Sequence, residues 1–329
     1  MKTWIKGLFV LAILAVLSGA GGLAWYGTQP LRIESLPKTI NVTPGTHLRS
    51  LSTLLEQEGV IGNARVFWLL GRILGKGSAL KVGVYTLDRP LTPLDLYAKI
   101  ERGEVSQAIV QFIEGWSWRQ VRAAIADQPL LKNDSADMSE SELLQAIGAE
   151  ENHLEGLLFP DTYFYAPHTS DLDVLRRAYR LQHDKLNAAW DARVPGLPYR
   201  SPYEALIMAS IVEKETGAAF ERPMIAGVFI NRLRQGMRLQ TDPTVIYGLG
   251  ERFDGNLRKV DLQRDTPYNT YTRAGLPPTP IAMPSEAAIR AALNPAKTDA
   301  LYFVARGDGS HLFSSTLDAH NRAVDRYQR

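Results

Sequence analysis

Apolar and polar positions divide this chain into three stretches. Residues 7–26 form an uninterrupted apolar run without a charge, preceded by Lys2 and Lys6. At about 1.5 Å per residue it reaches across a hydrocarbon layer of roughly 30 Å. The run predicts an N-terminal transmembrane helix with its basic flank in the cytoplasm and Trp25 and Tyr26 at the outer interface. The alternative is a cleaved signal peptide, since Ser18, Gly19 and Ala20 make a small-residue site. The run is longer than an ordinary signal core, which favours the anchor.

From 36 to 126 one phrase recurs three times. INVTPGT at 40–46, GVYTL at 83–87 and IVQFIEG at 109–115 are short β-rich runs. Each leads through a Gly or Pro turn into an amphipathic helical pattern, with Thr46, Thr92 and Ser117 as expected N-caps. The units predict a small α+β module in which helices cover a short sheet. A polar stretch, KNDSADMSESE at 132–142, reads as a surface loop; in it Ser139 and Glu142 fit a capping box.

Beyond residue 155 the apolar spacing is mainly helical. Residues 174–190, 202–215 and 220–235 predict helices, and 302–304 with 311–313 predict a hairpin around Gly307, Asp308 and Gly309. A last helix is expected from Leu317. The expected class is therefore α+β: a transmembrane helix within 1–30, a small α+β module over 31–130, and a mainly helical α+β catalytic domain over 131–329.

Composition narrows the chemistry. A net charge of +2 argues against a dedicated nucleic-acid surface. The absence of cysteine excludes disulfides and thiolate metal sites, and the six histidines show no paired metal-ligand spacing. Neither a metal nor a cofactor is expected.

The candidate chemistry centres on Glu213 and Glu215, which close an apolar helix. A carboxyl at the edge of an apolar wall is desolvated, and its pKa rises toward a value suited to proton transfer near neutrality. Two positions apart on a helix, the two diverge by about 200° and cannot share a face. One can face a cleft, while the other is solvated or pairs with a base such as Arg222. The bland alternative is a solvated helix end. Downstream, Asn231, Gln240 and Asp242 offer donors and acceptors for sugar hydroxyl and acetamido groups. Tyr247, Tyr268 and Tyr271 offer flat faces for sugar rings, and Asn269 is a further amide.

SIVEKE at 210–215, FINRL at 229–233, LQTDPT at 239–244 and YNTY at 268–271 resemble the endolytic peptidoglycan transglycosylases, the YceG-like or MltG family. EGLLFPDTY at 155–163, GLPP at 275–278, IAMP at 281–284, LYFV at 301–304 and HLF at 311–313 carry the same resemblance. It implies that the module is LysM-like. It implies a single-pass inner-membrane enzyme whose catalytic part lies in the periplasm and cuts nascent glycan strands. The expected bond is that between N-acetylmuramic acid and N-acetylglucosamine, the expected product a 1,6-anhydromuramyl end. The family's essential glutamate maps to Glu215, with Glu213 as the fallback. Expected partners are glycan strands, the inner membrane through the N-terminal helix, and peptidoglycan synthases. A two-carboxylate muramidase, with Glu213 or Asp242 as base, and a non-catalytic glycan-binding scaffold are the competing readings.

Overall fold

The computed structural model describes residues 2–76 and 80–328; of residues 2–10, 12 and 16 it describes the backbone alone. The chain forms two compact units, one of residues 1–109 and 164–168, the other of 110–163 and 169–329. The architecture is mixed α+β and mostly helical.

The first unit contains α1 (Lys2–Thr28), β1 (Lys38–Val42), α2 (Leu48–Gln57), α3 (Ala64–Ile73), β2 (Gly83–Leu87) and α4 (Pro93–Arg102). Strands β1 and β2 pair antiparallel, with Ile40 opposite Tyr85. The three helices after α1 bury one stripe each, as their 3.6-residue spacing dictates. Leu51, Leu55, Phe67, Leu70, Leu96 and Ile100 meet Ile40, Tyr85 and Leu87 in one core. Each such side chain contributes about 1.5–3 kcal/mol by leaving water. Phe67 and Tyr97 stack with ring centroids 4.2 Å apart, and the Tyr97 hydroxyl donates to the Phe67 carbonyl at 2.6 Å. Gly71 is required there, because a Cβ would collide with the Tyr97 hydroxyl. Leu23 and Tyr26, near the end of α1, pack on this core. Among the described residues no helix is long and apolar enough to cross a membrane. The expected span at 7–26 falls in part on side chains outside the described residues.

Two of the three expected caps behave as their chemistry requires. Thr92 accepts from the Asp95 amide at 3.1 Å, and Ser117 caps its helix with Gln120 returning to the Ser117 amide at 3.0 Å. Thr46 does not cap α2. His47 occupies that position, and Ser50 reaches back to the His47 amide at 2.8 Å. The Thr46 hydroxyl is instead within reach of Thr43 across the turn, a local competitor for the same group.

The chain passes into the second unit within β3 (Ala108–Gln111). There follow α5 (Trp118–Ala126), α6 (Glu140–Ile147), β4 (Thr162–Tyr165), α7 (Asp171–Asp191), α8 (Pro202–Glu215), α9 (Arg222–Arg234), α10 (Asp242–Leu249), α11 (Lys259–Gln263), α12 (Glu286–Leu293), the hairpin β5 (Tyr302–Ala305) with β6 (His311–Ser314), and α13 (Leu317–Tyr327). The Ser139–Glu142 capping box opens α6 as expected. The β5–β6 ladder pairs Tyr302 with Ser314. Helix α8 is buried at every position from 205 to 212, because α7, α9, α10 and α12 all pack on it. A helix apolar on all sides is stable only in such a position.

Candidate active site

Helix α8 starts at Ser201, whose hydroxyl accepts from the Glu204 amide, and Pro202 fills its first turn. It ends at Glu215, where Thr216 turns extended. Inside it, Ser210 donates to the Ile207 carbonyl at 2.7 Å and accepts from the Ile281 amide at 3.0 Å, fastening the IAMP segment to the helix.

The last two acidic residues separate as the helical angle demands. The Glu213 carboxylate receives Arg222 at 3.1 Å, the Ser285 amide at 3.0 Å and the Ser285 hydroxyl. Both partners of this ion pair are largely out of water. Ser285 in turn caps α12. Glu213 is thus a brace between α8, Arg222 and α12, with each carboxyl oxygen engaged.

Glu215 points elsewhere. Its carboxylate accepts a hydrogen bond from the Thr241 hydroxyl. Burial pushes its carboxyl up to about 7; the neighbouring Asp242 adds to this, while Thr241, His311 and Arg232 pull the other way. The C-terminal end of α8 also disfavours negative charge at this position. The group is therefore divided between its acid and base forms near neutrality.

A framework of buried hydroxyls holds Thr241. Its amide donates to Thr270 Oγ1 at 3.0 Å, its carbonyl accepts from Thr244 at 2.8 Å, and Thr244 and Thr270 lie 2.9 Å apart. Gln240, just before it, is exposed and adopts a left-handed backbone with φ of 51°. A non-glycine residue in that region is strained, and such residues collect at functional sites. Arg232 ties the segment down, donating to the Leu239 and Leu301 carbonyls at 2.6 Å each. Asp242 opens α10 and accepts from the Tyr271 hydroxyl at 2.6 Å.

The amides read as sugar-binding candidates fall into two groups. Asn231 donates to the carbonyls of Thr298 and Ala300 at 2.8 and 3.1 Å, so its amide joins α9 to the approach of the hairpin. Asn269 is fully buried; it donates to the carbonyls of Asp261, Leu262 and Arg264 and accepts from the Tyr271 amide. Both amides are committed to backbone. Gln240, Asp242 and Tyr271 gather beside Thr241, and Tyr268 lines a neighbouring cleft.

That cleft has a volume of about 1090 Å³ and is walled by Trp118, Glu155, Lys214, Pro243, Tyr247 and Tyr268, among others. Lys214 and Pro243, the chain neighbours of Glu215 and Asp242, belong to the cleft wall, while the two acids themselves do not line it. Tyr247 and Tyr268 meet edge to face at 4.8 Å. Glu155 is a functional candidate that the sequence reading assigned no role. It is 6% exposed, and burial pushes its carboxyl up to about 7, against hydrogen bonds from the Trp118 amide, Tyr247 and the Gly156 amide. Gly156 has φ of +80°, and a Cβ there would collide with Pro280, so glycine lets this segment lie against the wall. The available signal was an acid set between Leu154 and two further leucines, a position where a carboxylate is not solvated. Among the described residues no cluster of acids and histidines could hold a metal ion.

The YceG-like family matches residues 40–326. The chain belongs to this family. It is 33% identical to the endolytic murein transglycosylase of Bacillus subtilis (strain 168), over 93% of this chain and 90% of that protein. It is 28% identical to the protein of the same name in Streptococcus pneumoniae serotype 2, over 95% of this chain but 63% of that longer protein. A crystal structure of a YceG-like protein from Listeria monocytogenes is similar with a TM-score of 0.59 and 32% identity, covering 86% of this chain and 97% of that one.

Proposed function

We infer that this chain is an endolytic murein transglycosylase that cuts nascent glycan strands between N-acetylmuramic acid and N-acetylglucosamine. The observation that carries this reading is the contrast at the end of α8. Glu213 is locked into an ion pair, whereas Glu215 keeps a carboxyl raised to about 7, one residue along the chain from the wall of a large aromatic cleft. A single carboxyl divided between acid and base near pH 7 can serve both halves of a lytic reaction.

Neutral Glu215 gives its proton to the glycosidic oxygen as the bond from C1 breaks. The C6 hydroxyl of the same muramyl ring then forms the new bond to C1, and its proton passes to the Glu215 carboxylate. The enzyme returns to its starting state, no water is consumed, and the strand ends in a 1,6-anhydro ring. Tethering the nucleophile removes the need for a second carboxylate to activate water. Thr241 orients the acid, and Gln240, Asp242, Tyr268 and Tyr271 contact substrate; Asn231 and Asn269 shape the walls behind them. Mass spectrometry of the released ends tests the reading: anhydro ends are expected, and reducing ends heavier by one water would establish the two-carboxylate muramidase instead.

The N-terminal run over 7–26 anchors the chain in the inner membrane, with the catalytic part in the periplasm. Supporting this are Lys2 and Lys6 before a charge-free apolar stretch. The module over 31–130 is LysM-like, and peptidoglycan synthases supply the nascent strand. Protease added to intact spheroplasts should degrade the catalytic part; full protection would place it in the cytoplasm.

A further inference from the structure

Helix α3 carries more apolar surface than its unit buries. Phe67, Leu70 and Gly71 face the core, whereas Leu69, Ile73 and the cap residue Leu74 are exposed, Ile73 to 66%. Leu69 and Ile73 lie four positions apart and share one face of the helix. Arg65, Trp68 and Arg72 form a second stripe beside it, at spacings of three and four. A helix with one apolar face in the core and another in water presents a contact surface.

The place of this face relative to α1 is fixed. A Cβ on Gly27 would lie 3.4 Å from the side chains of both Leu70 in α3 and Leu94 in α4, so the end of α1 rests on these two helices. The Leu31 amide then donates to the Leu91 carbonyl at 2.8 Å, which ties the segment after α1 to the approach of α4. Trp25 and Leu94, both exposed, continue the apolar surface around the end of α1. Ile73 is three residues beyond Leu70, about 4.5 Å along the helix. Where α1 enters a bilayer, the exposed face of α3 therefore meets its surface.

Charge selects the occupant. A hollow of about 430 Å³ opens beside Leu69, lined by Arg49, Thr53, Glu56, Arg65 and Trp68. The guanidinium groups of Arg49 and Arg72 each sit 5.6 Å from the centre of the Trp68 ring, which keeps them at the rim of the apolar face. Glu58 pairs with Lys38 and Glu101 with Lys76, while Glu56 accepts from the Ala64 amide at 3.0 Å. Arg49, Arg65 and Arg72 enter no ion pair among the described residues. Two copies of this face would bring like charges together, whereas lipid phosphates complement them.

We propose that the exposed face of α3 docks on the bilayer that α1 enters, with Leu69 and Ile73 in the headgroup boundary and Arg49 and Arg65 on the phosphates of anionic phospholipid. This rests on the membrane anchoring proposed above. The module is then held at the surface by two contacts instead of hanging from α1 alone.

The chain contains no cysteine, so Ile73→Cys gives a single attachment point for a polarity-sensitive fluorophore on the full chain. The labelled protein is reconstituted in vesicles of phosphatidylcholine with phosphatidylglycerol. Ile73 is exposed, so the fold should survive, which melting checks; Leu69→Cys is the second position. Lipid carrying a nitroxide just below the headgroup should quench the label about twofold, since such a helix face lies ~5–10 Å into the boundary. Adding Arg49→Gln and Arg65→Gln should lower the ratio of docked to free module about thirtyfold. Unchanged quenching in that variant overturns the proposal. The same label at Leu14→Cys, within the apolar run, should be quenched by a nitroxide deep in the acyl chains. Quenching at Leu14 with the Ile73 label open to aqueous iodide overturns the docking and leaves the anchor standing. Neither label quenched by lipid removes the anchor reading, and the docking with it. An Ile73 label shielded from iodide yet unquenched by lipid assigns the face to protein, a second copy of the chain included, and overturns the proposal.

Discussion

The two units bury different kinds of side chain. In the first, the core is aliphatic and aromatic, the Tyr85 and Tyr97 hydroxyls bond to backbone carbonyls, and apart from tyrosines Ser52 is the one buried polar side chain among the described residues. The second buries Glu155, Asp171, Glu221, Arg232, Thr241 and Asn269, among others. An apolar core gains stability from every contact. A polar interior must satisfy each group, and where it holds a carboxyl with few donors it shifts the pKa instead. Glu213 and Glu215 show both outcomes within one turn. Three donors hold Glu213 in place as a brace; one hydroxyl leaves Glu215 poised. Chemistry is therefore expected from the second unit and bulk stability from the first.

The sharpest way to break this comparison is Glu215→Gln. Strand cleavage should fall by about 10²–10⁴-fold in a release assay while the melting temperature is maintained. Residual activity near that of the parent would assign the acid elsewhere. In the first unit Phe67→Ala should cost about 3–5 kcal/mol in urea denaturation, because it empties the centre of the core and strands the stacked Tyr97. A loss below 1 kcal/mol would contradict the packing described.

The raised carboxyls make a third prediction, with a definite sign. The folded chain holds the Glu155 and Glu215 protons more tightly than the unfolded chain, whose carboxyls titrate near 4.5. Their contribution to stability is therefore complete below about 4.5 and is lost as pH rises toward 7. For Glu155 the loss is about 3 kcal/mol at most, and Glu155→Gln should remove it from urea curves recorded across that window. Thr241→Val deletes the one hydroxyl that favours the charged form of Glu215. The alkaline limb of the kcat/KM profile should move to higher pH, and an unmoved limb would refute the contact. Smallest is Asn231→Ala, which unties two carbonyls before the hairpin. It should lower stability by about 1–3 kcal/mol with little change in KM; a large KM increase would return Asn231 to the sugar-binding set.

Local signals were legible in proportion to their range. Thr92, Ser117 and the Ser139–Glu142 box mark helix starts because a cap acts over three residues. The β5–β6 hairpin follows from Gly307, Asp308 and Gly309 between two extended runs. The divergence of Glu213 from Glu215, and the choice of Arg222 as a base for one of them, follow from about 100° per residue and a nearby cation. The cap at Thr46 failed because two adjacent polar residues compete for one helix start, and the geometry of the turn decides between them.

Amino-acid order by itself determined the helical spacing, the family motifs and the presence of an acid at the end of an apolar helix. Tertiary structure alone decided what each polar group meets. Asn231 finds its carbonyls 67 and 69 residues away, Thr241 reaches Glu215 across 26, and Glu155 meets the Trp118 amide across 37. Desolvation and hydrogen bonding depend on neighbours in space. The pKa of a carboxyl, and hence which glutamate braces and which can move a proton, exists only once the chain has folded.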